Sequence, residues 1–107
     1  MANHLPPLQL TMRIEPGCLG PDGVEHVEQF CQFALEPFNR LGGQALQWTL
    51  IPRYDKQLPE IEYGLGQHRL SYAQAKRYLE HWSLNLDEEE EHISELLSEL
   101  IDQFWQR

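Results

Sequence analysis

The sequence predicts an α+β fold: a single domain in which helices pack on a three-stranded mixed sheet, in the order β-α-β-β-α-α. Two kinds of periodicity lead to this prediction. Three short segments alternate apolar and polar residues, as half-buried strands do, and three others repeat apolar residues at helical spacing. The 107 residues are enough for one modest core. We therefore treat residues 1–107 as one domain and expect residues 1–7 to be flexible.

The first strand and the first helix are predicted near the N-terminus. Every second residue of Leu8–Ile14 is apolar, which indicates a strand. After a turn-rich loop, Asp22 stands three residues before a glutamate, the spacing of a capping box, and Gly42 with Gly43 is a typical helix stop. Pro37 interrupts the helical pattern. It should kink the helix or end it early, because it lacks an N–H donor and crowds the preceding turn.

Two more strands are predicted in the middle of the chain. Residues 44–53 carry apolar side chains on both faces, which suggests a central position in the sheet, and Pro52 should end the pairing of this strand. Residues 61–65 alternate again, with glycines nearby that allow a bend or a bulge. A strand, a helix and a strand in succession favour a parallel crossover, so we expect the third strand to add antiparallel.

The second helix is predicted over residues 72–82. Ser71 and Gln74 have the spacing of a capping box, which fixes its start. Residues 83–86, with the sequence SLNL, break the helical pattern before the last helix.

The last helix, over residues 88–105, has the strongest amphipathic pattern in the chain, and Asp87 with Glu90 is predicted to cap it. Its apolar stripe is about 20 Å long, which is more than a small sheet and two helices are expected to cover. We therefore predict a homodimer, formed either by contact along this stripe or by exchange of the last helix. The predicted dimer stripe consists of Ile93, Leu97, Leu100, Phe104 and Trp105.

The net charge of −9 lies mostly in the last helix. Residues 87–107 hold eight acids and one base, whereas residues 1–86 hold nine acids and seven bases. Acids in the first turn complement the helix dipole. Those farther along the outer face have no lysine or arginine between them, so they either keep the chain dissolved or meet a basic partner. We define the acidic ridge as Glu88, Glu91, Glu95, Glu99 and Asp102.

The charge pattern bears on possible nucleic-acid binding. Binding to phosphate backbones depends on lysine and arginine, so the acidic last helix disfavours direct contact with DNA or RNA. The bases cluster between residues 53 and 77. Such a basic middle would either neutralise the acidic helix within one chain or pair with it between two chains.

Metal and cofactor chemistry is not predicted. Glu89 and His92 form a Glu-x-x-His pair, but a di-iron site needs a second such pair, and the helical spacing turns His92 towards solvent. The two cysteines are not arranged as a CxxC pair. Cys18, just before the first helix, is considered as a nucleophile because a helix N-terminus lowers a thiol pKa, but no base is adjacent to it in the sequence.

The sequence also suggests a location. No apolar run reaches the length of about 18 residues that spans a bilayer, and the N-terminus does not resemble a signal peptide. With few cysteines as well, a cytoplasmic protein without membrane contact is expected.

The predicted function is a non-enzymatic protein-interaction module, such as an adaptor or an inhibitor, that presents its acidic ridge to a basic protein partner. One alternative is a small enzyme or ligand-binding domain with a pocket formed by Arg53, Tyr54, His68 and Arg69. Another is a nucleic-acid mimic that blocks a basic partner.

Overall fold

The computed structural model describes residues 5–106 of the chain as an α+β arrangement of four strands and three α-helices. The predicted flexibility of residues 1–4 therefore lies outside the described residues. The elements, in chain order, are β1 (Leu8–Ile14), α1 (Gly23–Asn39), β2 (Leu46–Pro52), β3 (Ile61–Leu65), β4 (His68–Leu70), α2 (Tyr72–Glu80) and α3 (Leu86–Trp105). Short 3₁₀ turns precede α1 at Pro16–Leu19 and β2 at Gly43–Ala45.

The four strands form one mixed sheet in the order β2-β1-β3-β4. β1 pairs parallel with β2 and antiparallel with β3, and β3 pairs antiparallel with β4. The mixed α+β character predicted from the sequence is confirmed. The number of strands is not, because the sheet has four strands rather than three.

The fourth strand belongs to a tight hairpin, at a place where the sequence predicts only a bend or a bulge. Leu65 pairs with His68, so only Gly66 and Gln67 connect β3 to β4. Gly66 has a φ of 63°, and glycine is favoured at the first central position of such a two-residue turn because it adopts a positive φ without a steric cost. A glycine followed by one polar residue between two short alternating segments was the available signal.

The second strand lies at the edge of the sheet, and the prediction that it is central was wrong. Only Leu46 and Trp48 of β2 are buried, whereas the side chains of Gln47, Thr49 and Ile51 are exposed on the opposite face. β1 holds the central position instead, between β2 and β3.

The core lies between one face of the sheet and the three helices. In β1 every second side chain is buried and the intervening ones are half-buried. The register aligns Trp48, Leu10, Tyr63 and Leu70 in one row across this face. Buried side chains of α1, α2 and α3 join the same cluster, so the helices form a second layer on this face, while the other face remains polar.

The first helix begins where the sequence predicts and ends slightly earlier. Asp22 occupies the N-cap position of α1, but its side chain makes no capping hydrogen bond, so the predicted capping box does not form. Gly23 is required there, since a Cβ atom on it would lie 1.8 Å from the carbonyl oxygen of Pro16. Pro37 lies in the last turn, where little helix follows it, and α1 ends at Asn39.

The second helix starts with the capping box predicted from the sequence. The Ser71 hydroxyl accepts a hydrogen bond from the Gln74 backbone N–H at 3.1 Å, and the Gln74 side chain accepts one from the Ser71 N–H at 2.8 Å. At the other end of α2, the Leu84 N–H donates to the Leu79 carbonyl and the Ser83 N–H donates to the Glu80 carbonyl. This is the Schellman pattern, and it places Ser83 in the left-handed region with a φ of 62°.

The last helix begins two residues earlier than predicted. Leu86 is its first residue and is fully buried, and Asn85 is the N-cap, with its side chain accepting a hydrogen bond from the Glu88 N–H at 3.2 Å. The cap assigned to Asp87 was therefore wrong. Because the Schellman turn ends at Leu84 and the new cap is Asn85, α2 and α3 are joined without a flexible linker.

Replacing Ser83 with glycine should stabilise the protein. The left-handed conformation costs a residue with a Cβ about 1–2 kcal/mol, whereas glycine adopts it freely but loses about 0.5–1 kcal/mol of chain entropy. We expect Ser83→Gly to raise the free energy of unfolding by about 0.5–1 kcal/mol, measured by urea denaturation. Ser98→Gly, at an exposed position inside α3, should lower it by a similar amount. A loss of stability in both variants would contradict the assignment.

Candidate functional site

The acidic ridge lies on the outer surface of α3. All five of its side chains are exposed. At about 100° per residue, they centre on the side of the helix opposite the one that carries the buried residues Leu86, Ile93 and Leu100. None of the five carboxylates forms an ion pair or a side-chain hydrogen bond with another of the residues 5–106. Within the described part of the chain, the ridge is therefore a stripe of negative charge without a compensating base.

Most bases between residues 5 and 106 are already paired with acids outside the ridge. Of the seven lysines and arginines between residues 5 and 106, six form an ion pair with a carboxylate outside the ridge. Arg53 and Lys56 share Glu15, at 3.4 and 3.7 Å. Lys76 pairs with Asp87 at 2.6 Å. Apart from Arg77, the predicted basic middle is thus neutralised by local acids, and the ridge takes no part in this.

Two acids in the first turns of α3 have structural partners. Asp87 accepts a hydrogen bond from the Tyr72 hydroxyl and pairs with Lys76, so it ties α3 to α2. Glu90 accepts a hydrogen bond from the Tyr63 hydroxyl at 2.5 Å, so it ties α3 to β3. These contacts separate the acids that hold the fold together from the acids of the ridge.

The predicted dimer stripe is largely occupied by the core of one chain. Ile93, Leu100 and Phe104 are buried, and Leu97 is half-buried. Trp105 differs, because 45% of it is exposed and its ring packs edge-on against His26 of α1 with 5.1 Å between ring centroids. A side-by-side dimer through the stripe would therefore need side chains that the monomer already covers.

The structure does not bring the four residues of the alternative pocket together. Arg53 and Tyr54 follow β2 at one edge of the sheet, whereas His68 and Arg69 belong to β4 at the other edge. Tyr54 contacts Glu28 of α1, and Arg69 lies 3.9 Å from Glu62 of β3. The pocket predicted from these residues was wrong, because β1 and β3 lie between the two pairs.

The cysteines are not activated as nucleophiles. Burial, followed by the negative charges of Glu60 and Glu15, raises the pKa of Cys18, so the lowered value considered from the sequence was wrong. Burial raises the pKa of Cys31 to about 11, with Glu28 adding to the effect. Both thiols are free.

Glu89 and His92 have very different environments on α3. The Glu89 side chain is buried to all but 9%, whereas His92 is exposed as predicted, and 3.7 Å separates their nearest oxygen and nitrogen. Within residues 5–106, no three histidine, cysteine or acidic side chains are grouped to hold a metal ion.

Two adjoining grooves lie on the flank of α3 that faces the β3–β4 hairpin. The first, called the tyrosine groove here, has a volume of about 550 Å³. The second, called the acidic groove, has a volume of about 440 Å³. The tyrosine groove is lined by Pro59, Ile61, Glu62, Tyr63, Arg69, Leu70, Ser71, Tyr72 and Glu90, and the acidic groove by Asp87, Glu90, Glu91, Ser94 and Glu95.

Most residues of the tyrosine groove were not predicted to form a site. They come from the loop before β3, from both strands of the hairpin and from the first turns of α2 and α3. The helical spacing of Tyr72 predicts a buried side chain, whereas the structure leaves 40% of it exposed. Its position directly after the cap residue Ser71 was the available signal in the sequence, but only the folded hairpin brings Ile61 and Leu70 to the same groove.

No family model, curated protein sequence or solved structure matches this chain. Among the described residues, none of the helices is long and apolar enough to cross a membrane.

The buried Tyr63 should make stability decrease at high pH. Burial, then the hydrogen bond to Glu90, then the charges of Glu90 and Asp87 raise the pKa of Tyr63. The folded protein therefore keeps the phenol proton at pH values where the unfolded chain releases it. This contribution to stability is complete below the unfolded pKa of about 10 and is lost as the pH rises above it.

Urea unfolding at a series of pH values between about 9 and about 11 tests this expectation. The free energy of unfolding should fall with rising pH above about 10, and in Tyr63→Phe the fall should be shallower by up to about 1.4 kcal/mol per pH unit. The variant keeps the cysteines and the other tyrosines, so their contributions cancel in the comparison. Equal slopes in the two proteins would contradict the coupling.

Proposed function

We propose that this protein is a non-enzymatic interaction module that binds a basic protein partner through its acidic ridge. The observation that carries the proposal is the unequal pairing of charges. Six of the seven bases between residues 5 and 106 already form ion pairs with acids outside the ridge. The five exposed carboxylates of the ridge form no ion pair with any of these bases. Complementary charge on a partner is the most direct way to compensate such a stripe.

The energetics of α3 support a role for the ridge beyond stability. Glu91, Glu95 and Glu99 follow one another at i, i+4, and like charges at this spacing destabilise a helix by about 0.2–0.5 kcal/mol per pair. A lysine at position 95 would turn both repulsions into attractions. The sequence keeps glutamate there, which fits a surface selected for binding.

The residues considered for an enzyme site support a non-enzymatic function instead. The residues of the predicted pocket lie at opposite edges of the sheet, and the raised pKa of Cys18 makes its thiolate scarce at neutral pH. The free thiols fit a protein of the reducing cytoplasm, which is the location we propose.

Charge reversal on the ridge tests the proposal. The tagged protein and the variant E95K/E99K would be used to capture partners from an extract of the native host at about 50 mM and about 500 mM salt. We expect the natural protein to retain a partner at low salt and to lose it at high salt, because salt screens exposed charges. The variant should bind the partner at least about tenfold more weakly.

The control is E25K/E80K, which makes the same change in net charge at two exposed glutamates whose side chains form no hydrogen bond or ion pair with another of the described residues. It should retain the partner at low salt. Denaturation curves should show E95K/E99K to be at least as stable as the natural protein, so that loss of binding is not loss of folding. Equal capture by both variants would refute the proposal, and displacement of the partner by DNA would favour a nucleic-acid mimic.

We propose a homodimer only in the form of an exchange of α3 between two chains. Exchange would retain the burial of Ile93, Leu100 and Phe104, which a side-by-side contact would not. The tight turn at Ser83, Leu84 and Asn85 would have to open in the exchanged dimer. These residues would become extended or helical, so that α3 could reach the second chain. Light scattering should give twice the monomer mass at micromolar concentration, and a monomer mass would exclude the exchange.

A further inference from the structure

The tyrosine groove and the acidic groove meet at Glu90, which lines both. They therefore form one cleft along the flank of α3, and this cleft shares Glu91 and Glu95 with the acidic ridge. We propose that this cleft receives an extended segment of the basic partner, with one arginine or lysine side chain lying in the tyrosine groove and its charge against Glu90. This inference rests on the proposed function and specifies the chemistry of the partner.

The lining of the tyrosine groove suits the stem of a long cationic side chain. Pro59, Ile61 and Leu70 give it an apolar wall, and arginine and lysine bury their hydrocarbon stems against such surfaces. The ring of Tyr72 is 40% exposed and stands edge-on to that of Tyr63, with 6.0 Å between centroids. Because Tyr72 is partly exposed and lines the groove, a guanidinium or ammonium group lying there would be close to its ring.

The charge of the cleft favours a cation over an anion. Five carboxylates line its two parts, of which Glu62 and Asp87 are already paired with bases. The other three, Glu90, Glu91 and Glu95, form no ion pair with a base between residues 5 and 106. Arg69 already lies 3.9 Å from Glu62. One carboxylate oxygen of Glu90 accepts a hydrogen bond from the Tyr63 hydroxyl, so the second oxygen is available to a ligand.

The protein already pairs one of its own cations with a carboxylate of the acidic groove. Lys76 places its ammonium group 2.6 Å from Asp87, and the hydroxyl of Tyr72 donates to the same carboxylate. Glu90 and Glu91 stand about one helical turn farther along α3. An arginine or lysine of a partner would repeat the contact there, with Tyr72 again alongside.

Two short peptides test the proposal on the intact protein. The probe is acetyl-Phe-Arg-amide, and its control is acetyl-Phe-citrulline-amide, which has nearly the same shape but no charge. We expect the arginine peptide to cause saturable chemical-shift changes in the amides of Ile61, Leu70, Tyr72 and Glu90. The citrulline peptide should bind at least about tenfold more weakly.

A matched pair of variants assigns the binding to the cleft. Glu90→Gln keeps an acceptor for Tyr63 but removes the charge, and it should weaken the arginine peptide at least about fivefold. Glu99→Gln removes one charge from the ridge outside the cleft and should leave the affinity unchanged within about twofold. Equal binding of the two peptides, equal effects of the two variants, or shifts spread along the whole ridge would overturn the proposal.

The outcome separates this inference from the proposed function. Because Glu95 lines the cleft as well as the ridge, capture is also measured with E99K/D102K, whose two positions lie outside the cleft. If E99K/D102K loses the partner but the arginine peptide does not perturb the cleft, the ridge binds the partner and the cleft inference fails. If the peptide binds at Glu90 while capture is insensitive to the ridge, the cleft inference stands and the ridge is not the recognition surface.

Discussion

The burial of one face of β1 is the constraint on which the rest of the structure depends. Leu8, Leu10, Met12 and Ile14 are all buried on that face, and β1 is the only described strand with neighbours on both sides for most of its length. A parallel partner requires a long crossover, so α1 is laid across the sheet between β1 and β2. The antiparallel partner β3 then sets where the hairpin, α2 and α3 pack. The helices that follow β1 cover its apolar face.

Much of this arrangement could be predicted from periodicity. Alternation marked β1 and β3, helical spacing marked α1 and α2, and the capping box at Ser71 was correct in both of its hydrogen bonds. β4 could not be found in this way, because three residues are too few to show an alternation. The edge position of β2 depends on which strands pair beside β1, and this is a property of the whole sheet rather than of any segment.

The candidate sites show the same limit. Residues 53–69 are close together in the sequence, which favours a shared pocket, but β2 and β3 lie on opposite sides of β1 in the sheet. The exposed side of α3 was predictable because helical geometry alone places the ridge opposite the apolar stripe. Helical geometry could not show that α1 covers Phe104 and leaves Trp105 partly exposed, since this depends on how the two helices cross.

The local pairing of the bases has a consequence for how other molecules approach this protein. Because these cations lie within a few ångströms of their own acids, their fields largely cancel at a distance, and the field of α3 does not. The molecule therefore has a directional electric asymmetry along a helix of 20 residues. A positively charged molecule would be turned towards α3 while it is still diffusing, before any contact forms. Such steering would act on the rate of encounter rather than on the lifetime of the complex, so even a weakly bound partner would meet this face first.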